Sequence, residues 1–133
     1  MKKLRGYIFA RHFMGERVPQ HVQNIVLRDY CTKTNHYLLM AAVEYAMPDS
    51  FLILESLIDD IESVDGVVLY SIYQLPTEPN RRKSVYSKVL ESDKSLHFAV
   101  DGISITQQGG IDLVEQCLLV KATLDRCVSK IET

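Results

Sequence analysis

The side chains able to do chemistry in this chain gather in a few short stretches. Arg11, His12, Glu16, Arg17, Gln20 and His21 fall within eleven residues, and Glu44 with Tyr45, Ser71 with Gln74, and Asp101 each follow an apolar run. Guanidinium groups near a helix start can hold a phosphate or carboxylate bidentately, and the helix dipole adds to the attraction. His12 and His21 can exchange protons near neutral pH, with Glu44 placed to orient or charge one of them. The set therefore fits recognition of an anion with proton transfer beside it.

A purely structural role is open to each of these residues. Arg17 can pair with Glu16, and a histidine at a helix start can simply bond backbone. Glu44 closes a run of Leu, Met, Ala and Val, where a carboxylate needs a donor; Arg11 is the expected one. His97, inside an apolar run, reads as a satisfied core or edge residue. His36 sits in a polar turn, and Arg81, Arg82 and Lys83 read as the solvated start of a helix. Two histidines nine residues apart plus Glu44 match no metal-ligand spacing, so no metal is expected. Neither Gly-x-Gly-x-x-Gly nor Gly-x-x-x-x-Gly-Lys occurs, so no nucleotide cofactor is expected either.

The elements that must position these groups follow from hydrophobic periodicity. Apolar runs of strand length occur at 6–10, 37–43, 66–71 and 96–100. Near-continuous apolar strands suit a parallel sheet covered on both faces. Between them Val18, Val22, Ile25, Val26 and Tyr30 mark one helical stripe, and Phe51, Leu54, Leu57, Ile58 and Ile61 another. A third helix is expected over 80–90, with Tyr86, Val89 and Leu90 inward. Pro19 suits the start of the first helix, Asp49 or Ser50 the cap of the second, and Pro76 and Pro79 the approach to the third. The alternation predicts an α/β, three-layer, mainly parallel sheet of four to five strands with right-handed crossovers. Ligands of such sheets sit beyond the carboxyl ends of the strands, where the stretch from Arg11 to His21, Glu44 with Tyr45, Ser71 with Gln74, and Asp101 fall.

After the polar, Gly-rich stretch 106–110 a helix runs through 109–133. Its positions Leu113, Cys117, Val120, Leu124, Cys127 and Ile131 alternate in steps of four and three, like a coiled-coil seam, beside a second stripe of Ile111, Val114, Leu118 and Ala122. One stripe is expected to cover the sheet and the other to meet a second subunit, which predicts a homo-oligomer; a terminal helix that buries both is the alternative.

At 133 residues the chain fits one domain, with sheet and covering helices over 1–105 and the long helix over 109–133. Hydrophobic residues at 47% and charged residues at 24% exclude a disordered or fibrous class. Fifteen basic against seventeen acidic residues leave a net charge of −2, which argues against affinity built on nucleic-acid phosphates. No signal-like or membrane-spanning run is evident, so a cytoplasmic protein is expected. The three cysteines show no paired spacing and read as buried thiols.

The segment Gly6-Tyr7-Ile8-Phe9-Ala10-Arg11, followed by a helix near Gln20, resembles the opening of serine recombinases, the resolvases and invertases, which read Tyr-x-Arg-x-Ser. Looser similarity extends over about the first hundred residues. It implies a resolvase-like, flavodoxin-like fold, and of the family's catalytic residues it carries over Arg11 alone. Phe13 stands where the nucleophilic serine is required, and Tyr73, Gln74 and Thr77 stand where the family places stabilising arginines and an aspartate. The resemblance therefore implies the fold without DNA strand exchange, and the chain leaves no room for the usual DNA-binding domain.

Arg5-Gly6-Tyr7-Ile8-Phe9, the stretch from Phe13 to Asn24, Arg28-Asp29-Tyr30-Cys31, Glu44-Tyr45-Ala46-Met47 and Leu96-His97-Phe98-Ala99-Val100 resemble a second, bacterial family, the sporadic carbohydrate cluster proteins. That resemblance spans nearly the whole chain. It implies a setting in surface-polysaccharide biosynthesis and no particular reaction; together with the clustered Arg, His and Glu residues it leads us to expect a sugar or sugar-phosphate partner, with an isomerase-like or epimerase-like proton transfer open to the histidines. The alternative is a non-catalytic assembly or regulatory protein of the same pathway.

Overall fold

A computed structural model describes residues 2–10, 18–47 and 49–132, with side chains as far as residue 121. The elements run β1 (Lys2–Phe9), α1 (Gln20–Lys33), β2 (His36–Glu44), α2 (Leu52–Asp59), β3 (Gly66–Leu69), α3 (Pro79–Glu91), β4 (Ser95–Phe98), β5 (Ile103–Ile105) and α4 (Gln108–Glu132). Single 3₁₀ turns at Ile61–Ser63 and Ile72–Gln74 connect α2 to β3 and β3 to α3. The strands order β2-β1-β3-β4-β5; the first four are parallel, and β5 returns antiparallel to β4. This is the expected α/β architecture, with the fifth strand supplied by a tight turn through Gly102 at φ 65°.

The helices divide between the two faces. On one, α1 lays Leu27 and Cys31 over Leu4 and Ile8 of β1 and Val68 of β3. On the other, Leu54 and Ile58 of α2, Val85 and Val89 of α3 and Val114 of α4 pack on Tyr7, Val67, Leu69, Leu96 and Phe98. Alternate residues of β1 and β3 thus feed both cores, while β4 gives Leu96 and Phe98 to one core and turns the polar Ser95 and His97 to the other face.

Three expectations need correction. In α1 the buried row is Gln23, Leu27 and Cys31, whereas Ile25 is 60% exposed. A glutamine enters the inner face because its amide is fully hydrogen-bonded there. At α2 neither Asp49 nor Ser50 caps the helix: the cap position is Phe51, and the capping oxygens come from elsewhere in the chain. Arg82 is no solvated residue of a helix start. Its Nε and Nη2 grip Glu115 of α4 at 3.0 Å each, and its Nη1 donates to the carbonyls of Pro76 and Thr77. Tyr86 donates to the same carboxylate at 2.8 Å, and burial together with that bond pushes its hydroxyl pKa up. Neighbouring Arg81 pairs with Glu55 of α2 and lies over the Phe51 ring.

The long helix divides as its two stripes suggest. Val114 is buried, Ile111 and Leu118 pack beside it, and Cys117 of the other stripe joins them. Leu113 and Val120 stay exposed, as does Leu119. The side chains of Leu124, Cys127, Ile131 and Ala122 lie outside the described residues. Among the described residues no helix is long and apolar enough to cross a membrane.

Gly66 marks the tightest approach between strands, since a Cβ there would collide with the carbonyl oxygen of Ser95 in β4 and press on Leu4. Gly66→Ala is expected to lower unfolding stability by about 1–3 kcal/mol, because backbone must move to admit it. Gly109→Ala, in open space on α4, is expected to leave stability unchanged or raise it by up to about 1 kcal/mol. Urea unfolding of the two variants checks the contrast.

Candidate functional site at the carboxyl edge of the sheet

The parallel strands end on one side at Phe9, Glu44, Leu69 and Phe98, and buried polar side chains link these ends. Gln23 is the hub, with no exposed surface. Its Oε1 accepts from the Phe9 N–H and from Nε2 of Gln74, and its Nε2 donates to the carbonyls of Phe9 and Val18, all at 2.9 Å. Gln74 in turn accepts from the Tyr70 N–H at 2.9 Å. One amide pair therefore joins α1, the end of β1 and the turn after β3. The Ile72 N–H donates to Asp101 at 2.9 Å, and the Ser71 hydroxyl accepts from the Tyr73 N–H, so this turn is pinned to the loop after β4 as well.

Glu44, at the end of β2, is 1% exposed. Tyr7 donates to Oε1 at 2.9 Å, and the N–H groups of Ile53 and Leu54 reach the same oxygen at 3.2 Å. Oε2 accepts from the Tyr45 N–H at 3.0 Å and the Ser50 hydroxyl at 3.1 Å. Glu44 is thus the missing cap of α2. A carboxylate from a neighbouring strand satisfies the first-turn N–H groups and faces the positive end of the helix. Arg11, expected as its partner, lies outside the described residues.

The predicted residues sort by environment. Glu44, Ser71 and Gln74 are buried and hydrogen-bonded to the fold, whereas Gln20, His21 and Tyr45 are exposed. Gln20 and His21 open α1 at the same edge, in a first turn that holds no acid. His12, Glu16 and Arg17, with Phe13, lie outside the described residues. Sequence reasoning missed the roles of Gln23 and Tyr7. The readable signal was Gln23 itself, a polar residue in a row with Leu27 and Cys31 at helical spacing. Among the described residues no three His, Cys, Asp or Glu side chains converge as metal ligands.

Two other reactive types are turned inward. His97 of β4, 5% exposed, bonds Tyr30 through Nδ1 at 2.7 Å and Ser95 through Nε2 at 2.8 Å. Burial, then the positive neighbours His36 and Lys2, pushes its pKa down to about 4. His36 is half-buried, bonded to Thr34, with its ring 5.1 Å from that of His97; it is therefore no bystander in a polar turn. Burial pushes the Cys31 thiol up to about 11 and leaves it unreactive.

In comparisons with known proteins, no family model and no curated protein matches the chain. Solved structures do. A resolvase family site-specific recombinase from Streptococcus pneumoniae superposes with a TM-score of 0.61 at 13% identity, covering 98% of this chain and 99% of that one. The N-terminal catalytic domain of TP901-1 integrase gives 0.59 at 14% identity over 92% and 98%. The C-terminal catalytic domain of ISC1926 TnpA, an IS607-like serine recombinase, gives 0.53 at 17% identity over 72% and 69%. The fold is resolvase-like. At these identities the likeness carries the resolvase-like backbone and none of its neighbours' chemistry.

Two measurements test the buried polar groups. The unfolded state takes up a proton on His97 near pH 6.5 and the folded state only near 4, so stability falls as pH drops through that window. The contribution is roughly 3 kcal/mol, and His97→Gln is expected to flatten the slope in urea titrations between those limits. Glu44→Gln sets an amide N–H against donors and is expected to cost about 2–4 kcal/mol, against about 1 kcal/mol for Tyr7→Phe.

Proposed function

We propose that this protein uses the carboxyl edge of a resolvase-like sheet to bind a sugar or sugar-phosphate intermediate of surface-carbohydrate biosynthesis in the cytoplasm, and that it is not a DNA recombinase. The observation that carries the reading is the contrast between two helix starts at that edge. Glu44 occupies the N-terminus of α2, whereas α1 opens with exposed Gln20 and His21 and no acid in its first turn. An anionic ligand is attracted to the second and repelled from the first. Arg11 and Arg17 supply its charge partners, and Glu16, Gln20 and Tyr45 are the residues assigned to sugar hydroxyls. His21 and His12 carry any proton transfer, while Glu44, Ser71 and Gln74 hold the edge in shape. Phe13 supports the negative part of the reading, having no oxygen to attack a phosphodiester.

A panel of sugar phosphates tested by thermal shift and calorimetry decides the matter. A ligand at a hundred times its Kd adds about 2.7 kcal/mol of stability, a plain rise in melting temperature. Arg11→Ala is expected to weaken such binding at least about tenfold, as loss of a bidentate charge contact should. His21→Ala is expected to abolish turnover and retain binding. Failure of every phosphorylated sugar to stabilise the folded protein, or covalent attachment of the protein to plasmid DNA, overturns the proposal.

A second reading, assembly through α4, is favoured by one observation: Leu113 and Val120 are exposed, at 47% and 56%, while Val114 between them is buried. Val120→Glu is expected to convert an oligomer to monomer in sedimentation. A wild-type monomer removes this reading.

A further inference from the structure

Gly66, the first residue of β3, leaves a gap on the face of the sheet that α1 covers. A Cβ there would meet the Ser95 hydroxyl at 2.5 Å and the Leu4 side chain at 3.0 Å. Two histidines come together beside that hydroxyl. His36 opens β2 and His97 lies in β4, with β1 and β3 between those strands, yet their rings stand 5.1 Å apart. Tyr30, in the last turn of α1, closes over them, its ring 5.6 Å from that of His97.

The hydrogen bonds form a one-way relay. Ser95 donates to the Asp65 carbonyl at 3.4 Å, so it accepts from the Nε2–H of His97 at 2.8 Å, and Nδ1 is left to accept the Tyr30 O–H at 2.7 Å. Burial pushes the Tyr30 pKa up, which keeps that proton on the phenol. Thr34 ties the same turn from its other side. Its hydroxyl donates to the Tyr30 carbonyl at 2.8 Å and so accepts from Nδ1 of His36 at 2.7 Å.

A second proton on His97 can go only to Nδ1. It turns the Tyr30 oxygen from donor to acceptor and leaves the phenol hydrogen without its partner. It also places a charge where none is balanced, since no carboxylate among the described residues bonds either ring. The groups facing the pair are Tyr30 and Cys31 from α1, Lys2 from β1 and Asp65 ahead of β3. Asp65 favours a charge on His36 alone, and it is already engaged by the Lys3 N–H and by Lys94. What the contact fastens is the lesser core: α1 lays Leu27 and Cys31 on this face, whereas α2, α3 and α4 fill the other. Release of the last turn of α1 therefore leaves the larger core packed.

We propose that the His36–His97 pair is an acid-sensitive latch: uncharged, it fastens the last turn of α1 and the start of β2 to β4, and protonated it releases them while the opposite core stays folded. It sits at the far end of α1 from Gln20 and His21 and stands whatever binds at that edge.

Cys31, next to Tyr30 and 2% exposed, reports the release. The whole chain is labelled with dithiodipyridine, a thiol reagent active in acid, and peptide masses separate Cys31 from Cys117 and Cys127. Rates are taken relative to the urea-unfolded chain at each pH. Protection of Cys31 is expected to fall about tenfold per pH unit from 6.5 toward about 4, the range in which the released His97 takes up a proton and the held one does not. At pH 5 the labelling is expected to be nearly indifferent to low urea, because a local opening exposes little surface. His97→Gln keeps an acceptor for Tyr30 and a donor for Ser95, and is expected to flatten the pH dependence. Tyr30→Phe is expected to speed labelling about tenfold at pH 7. If His97→Gln does not fold, amide exchange of the wild type carries the test, expected to quicken at 30–36 ahead of β3 and β4 as pH falls, relative to intrinsic rates. Cys31 protection that does not change with pH, a slope retained in His97→Gln, or labelling as steep in urea as global unfolding each overturns the proposal.

Discussion

The resolvase-like core rests on one side-chain amide. Gln23 lies inside the protein, where an unsatisfied amide would cost several kcal/mol, and its four hydrogen bonds join the end of β1, the approach to α1 and the turn after β3. Two of them continue the β1 backbone at Phe9, at the point where the strand leaves the sheet. A third holds Val18 at the approach to α1, and the fourth reaches Gln74 beyond β3. The crevice edge of a parallel sheet is where backbone groups run out of ladder partners, and this amide supplies them. The loop after β1 and the turn after β3 accordingly begin from set positions.

Glu44 performs the corresponding task for the outer strand. Phe51 offers α2 no capping side chain, so the first-turn N–H groups depend on a carboxylate nine and ten residues upstream. Tyr7 of β1 donates to that carboxylate, which ties β1, β2 and α2 together in a single contact. Most buried polar side chains at this edge are consumed in making the edge. Gln20 and His21 at the start of α1 stay exposed at the same edge.

The remaining polar investment ties the last helix down. Arg82 uses Nε and all its terminal nitrogens on Glu115, Pro76 and Thr77, and Tyr86 shares the carboxylate. This network fastens α3 to α4 over the face that Val114 already seals. The seam of Leu113 and Val120 is left turned away from the sheet.

Much of this was legible in the sequence. Apolar runs separated by helical stripes determine an α/β protein with parallel strands, because only strands buried on both faces read as continuous hydrophobic segments. They also determine that the polar residues fall at strand ends, since the connections of a parallel sheet alternate between its two edges. Which polar residues serve the fold and which face solvent was decided only by tertiary structure. Glu44 looks like a candidate for chemistry, and Gln23 like one more polar residue of a helix, until partners as distant as Tyr7 and Gln74 are in place. Arg82 looks like a surface residue until α4 brings Glu115 against it. Hydrogen-bond satisfaction depends on long-range pairs, and a local pattern of residue types carries no record of them.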